Sequence, residues 1–306
     1  MSHKHHHTER DFENEKKIEF LSVISLNLFI SIAEIIAGII SQSMALVSDA
    51  FHNLEDTVSI IISYIAWIFS SKEPNFKRTY GYKRIEIIAA FVNSIFLIGI
   101  CVFIILESIK RLIKPENINS DIMLLVSLFA FVINISCAYI LHNESKNNLN
   151  WKASYLHMIG DSFFSLAILV GSFFIKKYNL YIIDPILSVL MSVFIIYQSI
   201  SVLVKSFNIL MQSGADLDYL EIKKDIEKID GVVNVHHIHS WFGNEKTIYF
   251  EAHIEVKDCL VSQSSKIYSS INEVLTKKYL INHITLQFET DRCNNKELIF
   301  TNRSEK

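Results

Sequence analysis

The chain has 306 residues, half of them apolar, with only three prolines and a mean hydropathy of +0.29. That is too apolar for an ordinary soluble domain and implies several membrane spans, and a net charge of −3 gives no basic footprint for nucleic acid. Four cysteines with no CxxC or paired spacing supply neither a disulfide framework nor a thiolate zinc site.

The opening stretch MSHKHHHTERDFENEKK is not a secretory signal, because no short apolar segment with a small-residue cleavage site follows it. Its His3, His5, His6 and His7 read equally as a metal-capturing tail and as a solvated one. A helix needs roughly 20 apolar residues to cross about 30 Å of hydrocarbon. Six windows meet that need, at approximately 18–40, 44–69, 85–106, 122–141, 153–175 and 180–204. Loops on the N-terminal side of the bilayer hold about twice as many Lys and Arg as the opposite loops, which places both termini in the cytosol. The KRLIK stretch at 110–114 runs against that bias.

Beyond residue 212 the composition changes. DLDYLEIKKDIEKI carries Leu217, Leu220, Ile226 and Ile229 on a helical stripe, and TIYFEAHIEV alternates with Ile248, Phe250, Ala252, Ile254 and Val256 on one face. A second helix carries Ile267, Ile271, Val274 and Leu275, and HITLQFE alternates again through Ile284, Leu286 and Phe288. With GVVNVHHI as a first strand the order is helix, strand, strand, helix, strand. The expected fold is therefore a six-helix membrane protein with a small C-terminal α+β domain whose helices cover one sheet face. The expected divisions are a tail at 1–17, a transmembrane domain at 18–211, the α+β domain at 212–290 and a tail at 291–306.

The second span holds the anomaly. SDAFHNLED puts Asp49, His52, Glu55 and Asp56 inside a membrane helix, and residues three, four and seven apart share a face. Asp49, His52 and Asp56 form one stripe there, with Glu55 beside it. The fifth span repeats the pair in SYLHMIGDSFF, where His157 and Asp161 are again four apart. Each charge at mid-bilayer costs about 2.5–3.5 kcal/mol, so both stripes must face protein or a wet cavity. At 1.5 Å rise per residue, Asp56 lies about 18 Å and Asp161 about 15 Å into its span, so both reach the middle. Two imidazoles and two carboxylates from two helices can make a tetrahedral site suited to Zn²⁺, whereas Mg²⁺ and Ca²⁺ prefer all-oxygen shells. The carboxylates also neutralise a dehydrated divalent ion. Imidazole must be neutral to bind metal, so metal and protons compete for the same nitrogen. Asp49, one turn from His52, is a candidate for the metal path or a proton relay, and a packing role fits it equally. Glu34, Asn27, Asn93 and Asn134 read as interhelical hydrogen bonds, and Asp184, before Pro185, as a helix cap.

At these residues the chain resembles the cation diffusion facilitators, a family of zinc and related metal exporters. AEIIAGIISQSMALVSDAFHNLED resembles the first two spans, RTYGYKRIEIIAAFVNSIFL the entry to the third, SYLHMIGDS the fifth and DPILSVLMS the sixth. GVVNVHHIHSW, EAHIEV and HITLQFE resemble the family's cytosolic domain, which is ferredoxin-like and metallochaperone-like. The resemblance covers nearly the whole chain. It implies a homodimer in the bilayer that exchanges cytosolic metal for protons by alternating access, with His52, Asp56, His157 and Asp161 as transport ligands. It implies no catalytic cofactor; Zn²⁺ is cargo and a candidate regulatory ligand. The short loop between spans four and five resembles bacterial members, hence an inner-membrane location.

Strand parity sets His236, His253 and Glu289 on the sheet face away from the helices. Because family cytosolic sites use the corresponding strands, these three are candidate ligands, while exposed histidines at a dimer surface are the alternative. Gln287 stands where some relatives carry a histidine, which weakens a binuclear site. The same mechanism with Co²⁺, Cd²⁺, Fe²⁺ or Ni²⁺ is the nearest rival. An intramembrane metalloprotease needs an open coordination position and commonly a His-Glu-x-x-His motif, which is missing. A membrane-anchored metal sensor would leave the span charges unexplained.

Overall fold

A computed structural model describes residues 5–70, 72–142, 144–146, 149–291, 293 and 296–299. Six long helices come first: α1 His5–Ser41, α2 Met44–Ser70, α3 Ile85–Ile113, α4 Ser120–His142, α5 Leu149–Tyr178 and α6 Ile183–Leu210. Among the described residues, α3 to α6 and the Val23–Ser41 part of α1 are long and apolar enough to cross a membrane. The helix α2 is as long, at 27 residues, but Asp49, Glu55 and Asp56 dilute its apolar run. Sequence windows thus recover all six helices, and the one that departs from span composition is the one bearing the polar stripe.

By contacts the chain forms two compact units, one of Val92–Leu203 with the chain up to Ile65, the other of Ala66–Phe91 with the chain from Val204. In the first unit, Ala37, Leu46, Met123, Ile168 and Met191 build an apolar cluster from five helices. Phe29, Phe96, Phe103 and Tyr139 stay exposed, as lipid-facing side chains do. Between helices the contacts are small: a Cβ on Gly38 would meet Val47 Cγ2 at 2.7 Å, and Ser48–Ser192 and Ser108–Ser188 pair at 3.2 and 2.9 Å. Small residues of this kind let helix backbones approach where no hydrophobic force acts between them.

Asp184 caps a helix, but not its own. Its Oδ1 accepts from Ser43 Oγ at 2.5 Å and Ala45 N at 3.2 Å, and its Oδ2 from Met44 N at 2.8 Å. It therefore satisfies the free N–H groups and positive dipole end of α2, fixing that helix from α6.

In the second unit α7 Tyr219–Glu227, β1 Val232–Phe242, β2 Ile248–Val256, α8 Val261–Lys277 and β3 His283–Glu289 follow the expected order. The sheet runs β1-β2-β3, antiparallel between the first two and parallel between the last two. Its core holds Ile222, Ile226, Phe250, Ala252, Ile254, Ile271 and Leu275. The stripe read for the first helix is corrected at three of its four positions, Leu217, Leu220 and Ile229, the last lying beyond the helix end at Glu227. Asp218 Oδ1 caps α7 through Leu220 N and Glu221 N, both at 3.0 Å, so the helix begins too late to carry Leu217. Ile222 fills the core and Leu220 is exposed. Across the helices, Lys228, Lys278 and Tyr279 hydrogen-bond the Asp225 carboxyl and hold it well below its usual range.

Candidate metal transport site

The periodicity of α2 and α5 brings the two His-x-x-x-Asp pairs face to face. His157 Nε2 lies 2.9 Å from Asp56 Oδ2 and 3.7 Å from Asp161 Oδ2. His52 Nε2 lies 3.5 Å from Asp161 Oδ1, and its Nδ1 is 4.0 Å from Asp56 Oδ2. The two imidazole centroids are 5.8 Å apart and nearly perpendicular. Metal–ligand bonds of about 2.0–2.1 Å in a tetrahedron put neighbouring donor atoms about 3.4 Å apart. Donor atoms of Asp56, His157 and Asp161 already lie within 4.8 Å of one another, and His52 adjoins them through Asp161 at 3.5 Å. Asp161 Oδ2 and His52 Nδ1 are buried without a hydrogen bond, as donors intended for another partner would be.

The site is lopsided. The side chains of His52 and Asp161 are 5 % and 1 % exposed, whereas those of Asp56 and His157 are 21 % and 38 % exposed. The open side of the cluster is the one lined by Asp56 and His157.

Around it the other membrane polars find helix partners. Glu55 Oε1 accepts from Asn93 Nδ2 at 2.9 Å and Ser59 Oγ at 3.0 Å, which ties α2 to α3 while leaving Glu55 grouped with His52 and Asp56. Asn53 donates to Glu34 at 3.1 Å and Asn134 to Ser165 at 3.1 Å. Asp49 is fully buried, accepts from Ser165 Oγ at 3.3 Å and faces the Glu34 carboxyl. It is thus a link in a polar chain that runs from Asn134 through Ser165 and on to Glu34 and Asn53, which spacing alone does not reveal. The Oδ1 atoms of Asn27, Asn53 and Asn134 are buried without a hydrogen bond. His3 lies outside the described residues, as do the side chains of His5, His6 and His7.

A second cluster forms in the α+β unit. His236 and His253 are register partners on β1 and β2, and Glu289 ends β3. His236 Nε2 is 2.9 Å from Glu289 Oε1, off the line of a hydrogen bond, and His253 Nδ1 is 3.4 Å from Glu289 Oε2. Cys293 completes the group, its Sγ 3.4 Å from Glu289 Oε2 and 3.7 Å from His253 Nδ1. Two nitrogens, one sulfur and one oxygen within 4.8 Å of one another form a donor set that suits Zn²⁺. Gln287, the position read as a weak ligand, is exposed, and Cys293 supplies the fourth donor instead. The Glu-x-x-x-Cys spacing just past β3 was the one available signal, masked by reading 291–306 as a tail.

The expected open sheet face is corrected too. His236 is fully buried and Glu289 7 % exposed. Carbonyls of Glu297 and Leu298 accept from His237 N and Ile238 N at 3.1 and 2.8 Å, so the chain after β3 returns along β1. Bulges at Val232/Asn234 and His236/His239 reset the alternation, which exposes Val233 and sends Ile238 into the core. His237, at φ 53°, sets its ring centroid 4.5 Å from that of His253 at a tilt of 34°, and burial lowers its pKa.

Six long helices, five of them apolar enough to cross a membrane by the described residues, with a His/Asp cluster between two of them, point to an integral membrane protein. The family model for the cation efflux transmembrane domain matches residues 20–211, and that for the cation efflux protein cytoplasmic domain matches 215–291. The chain belongs to the cation efflux family, a family of transporters and not of enzymes. It is 33 % identical to the cadmium, cobalt and zinc/H(+)-K(+) antiporter of Bacillus subtilis over 93 % of this chain and 92 % of that one. It is 31 % identical to the zinc transporter ZitB of Escherichia coli, covering 96 % and 94 % of the two chains. With the metal cation efflux system protein CzcD of Cupriavidus metallidurans the identity is 30 %, over 92 % and 88 %.

Proposed function

We propose that the chain exports Zn²⁺ from the cytosol in exchange for protons, with His52, Asp56, His157 and Asp161 as the ligands that carry it across. The observation that carries this reading is the convergence of the two His-x-x-x-Asp pairs from α2 and α5, with donor spacings of 2.9–4.0 Å at mid-helix. Two carboxylates cancel the charge of a divalent ion, and four protein donors leave no position for hydrolytic water. Protonating either imidazole removes a donor and repels the ion, which couples release to proton entry. The relatives' names, zinc transporter and zinc/H(+)-K(+) antiporter, support metal and proton alike. Cadmium and cobalt in the name of the Bacillus subtilis relative keep the broader cation reading alive.

The reading extends to a homodimer in a bacterial inner membrane, both termini cytosolic, with residues 18–211 transporting and 212–290 regulating. Asp49, next to the cage and the Glu34 carboxyl, suits a proton relay. Purified protein in sealed vesicles tests the core of it: an imposed pH gradient should drive zinc accumulation that collapses when the gradient is dissipated. Uptake indifferent to the gradient would exclude antiport.

Zinc at His236, His253, Glu289 and Cys293 is the regulatory counterpart. Cys293→Ser, made in an Asp161→Ala background so that the membrane cage is silent, should weaken zinc binding in calorimetry by at least about tenfold. Unchanged affinity would remove Cys293 from the site.

A further inference from the structure

The loop joining α2 to α3 carries Lys72, Lys77, Arg78, Lys83 and Arg84 against a single acid, Glu73. Six lysines elsewhere in the same compact unit, Lys205, Lys223, Lys228, Lys277, Lys278 and Lys296, pair with carboxylates at 3.3 Å or less. Among the described residues no ion pair takes in Arg78, Lys83 or Arg84. Their neighbours are rings instead. Arg78 sits 4.4 Å over Tyr82, and the Lys83 ammonium lies 5.8 Å from the Tyr249 ring.

These three cations line one cavity of about 330 Å³, whose wall includes Trp241 and Tyr249 from the sheet and Ile85 and Ile88 from the first turn of α3. Gly243 belongs to the same wall, where any Cβ would collide with the Tyr249 ring. The cavity therefore lies beside the first turn of a helix long and apolar enough to cross a membrane. Ile88 is 47 % exposed beside it and Phe76, at the loop tip, is fully exposed.

We propose that this cavity binds the phosphate headgroup of an anionic phospholipid. Three unneutralised cations exclude a metal ion and select a phosphate, for which guanidinium groups supply forked donors. Tyrosine and tryptophan are the side chains that settle at headgroup depth. A soluble phosphate compound shares the headgroup chemistry but gives no role to Ile88 and Phe76, which offer an acyl chain an apolar path. The lipid would join the α2–α3 loop to the sheet-bearing part of the same unit.

The test uses full-length protein in phosphatidylcholine bilayers, with spin-labelled phosphatidylglycerol or spin-labelled phosphatidylcholine as the probe. Electron paramagnetic resonance then gives the relative association of the two lipids. Wild type should favour phosphatidylglycerol, and the combined Arg78→Gln, Lys83→Gln and Arg84→Gln variant should lose that preference by about tenfold or more. Phosphatidylcholine contact should be unchanged, which shows that the variant is inserted and folded. The charge-keeping variant Arg78→Lys, Lys83→Arg, Arg84→Lys should retain most of the preference, and each single Gln change should lower it in part. Lys72→Gln with Lys77→Gln, outside the cavity, should matter far less. The proposal fails if the cavity variants keep the wild-type preference, or if the Lys72/Lys77 variant lowers it as much. It also fails if inorganic phosphate displaces the lipid probe at matched ionic strength, because the site then takes soluble phosphate.

Discussion

Replacing Asp161 by Ala should abolish metal transport while leaving the protein inserted at wild-type level, and Asp56→Ala should do the same. Each change removes a donor atom and one of the two negative charges that offset the ion. Losing a group that merely supports a ligand costs about 10–100-fold in metal affinity, so losing a ligand should cost at least that. Insertion should not suffer, because a carboxylate at the centre of a span costs about 2.5–3.5 kcal/mol and alanine does not. Asp161 gives the cleaner experiment, being 1 % exposed with an oxygen that makes no hydrogen bond. Zinc flux into vesicles at equal protein density is the measurement. Flux above about a tenth of wild type in either variant would break the four-ligand cage.

His157→Asp should change which metal is carried more than how much. The cage would then hold one nitrogen and three carboxylates, one unit more negative, and a borderline ion such as Zn²⁺ loses a favoured donor. Harder Mn²⁺ should gain relative to zinc, by roughly tenfold in the flux ratio. Cd²⁺ should gain less, since it accepts nitrogen and benefits only from a larger, looser cage. His157 is the cage member most open to change, at 38 % side-chain exposure, so the added charge can be partly hydrated. Competition flux with paired metals reads the ratio. An unchanged ratio in a variant that still transports would mean that His157 does not touch the ion.

The convergence of the two His-x-x-x-Asp pairs was legible in the sequence because a helix converts spacing into geometry. His and Asp four apart share a face, and the cost of burying them forces that face inward, so the convergence of α2 and α5 follows from two short stretches. The sheet unit was less legible. Strand parity places His236, His253 and Glu289 on one side, and they do meet. Parity cannot see a bulge, so the inward turn of Ile238 and the exposure of Val233 were hidden. Neither can it see a segment that returns along the edge, which is why Cys293 and the burial of His236 came only from the fold. Asp184 teaches a related lesson. The residue pair Asp-Pro signals a cap, but that α6 caps α2 is a tertiary fact.

The most direct test of the central claim is the coordination of zinc in the membrane cage, read by X-ray absorption on full-length protein carrying His236→Ala and Cys293→Ser to empty the cytoplasmic cluster. The account predicts one zinc per chain with two imidazole nitrogens and two oxygens at about 2.0–2.1 Å. A zinc shell of oxygens alone, or with sulfur, or a signal that survives Asp161→Ala, would contradict it.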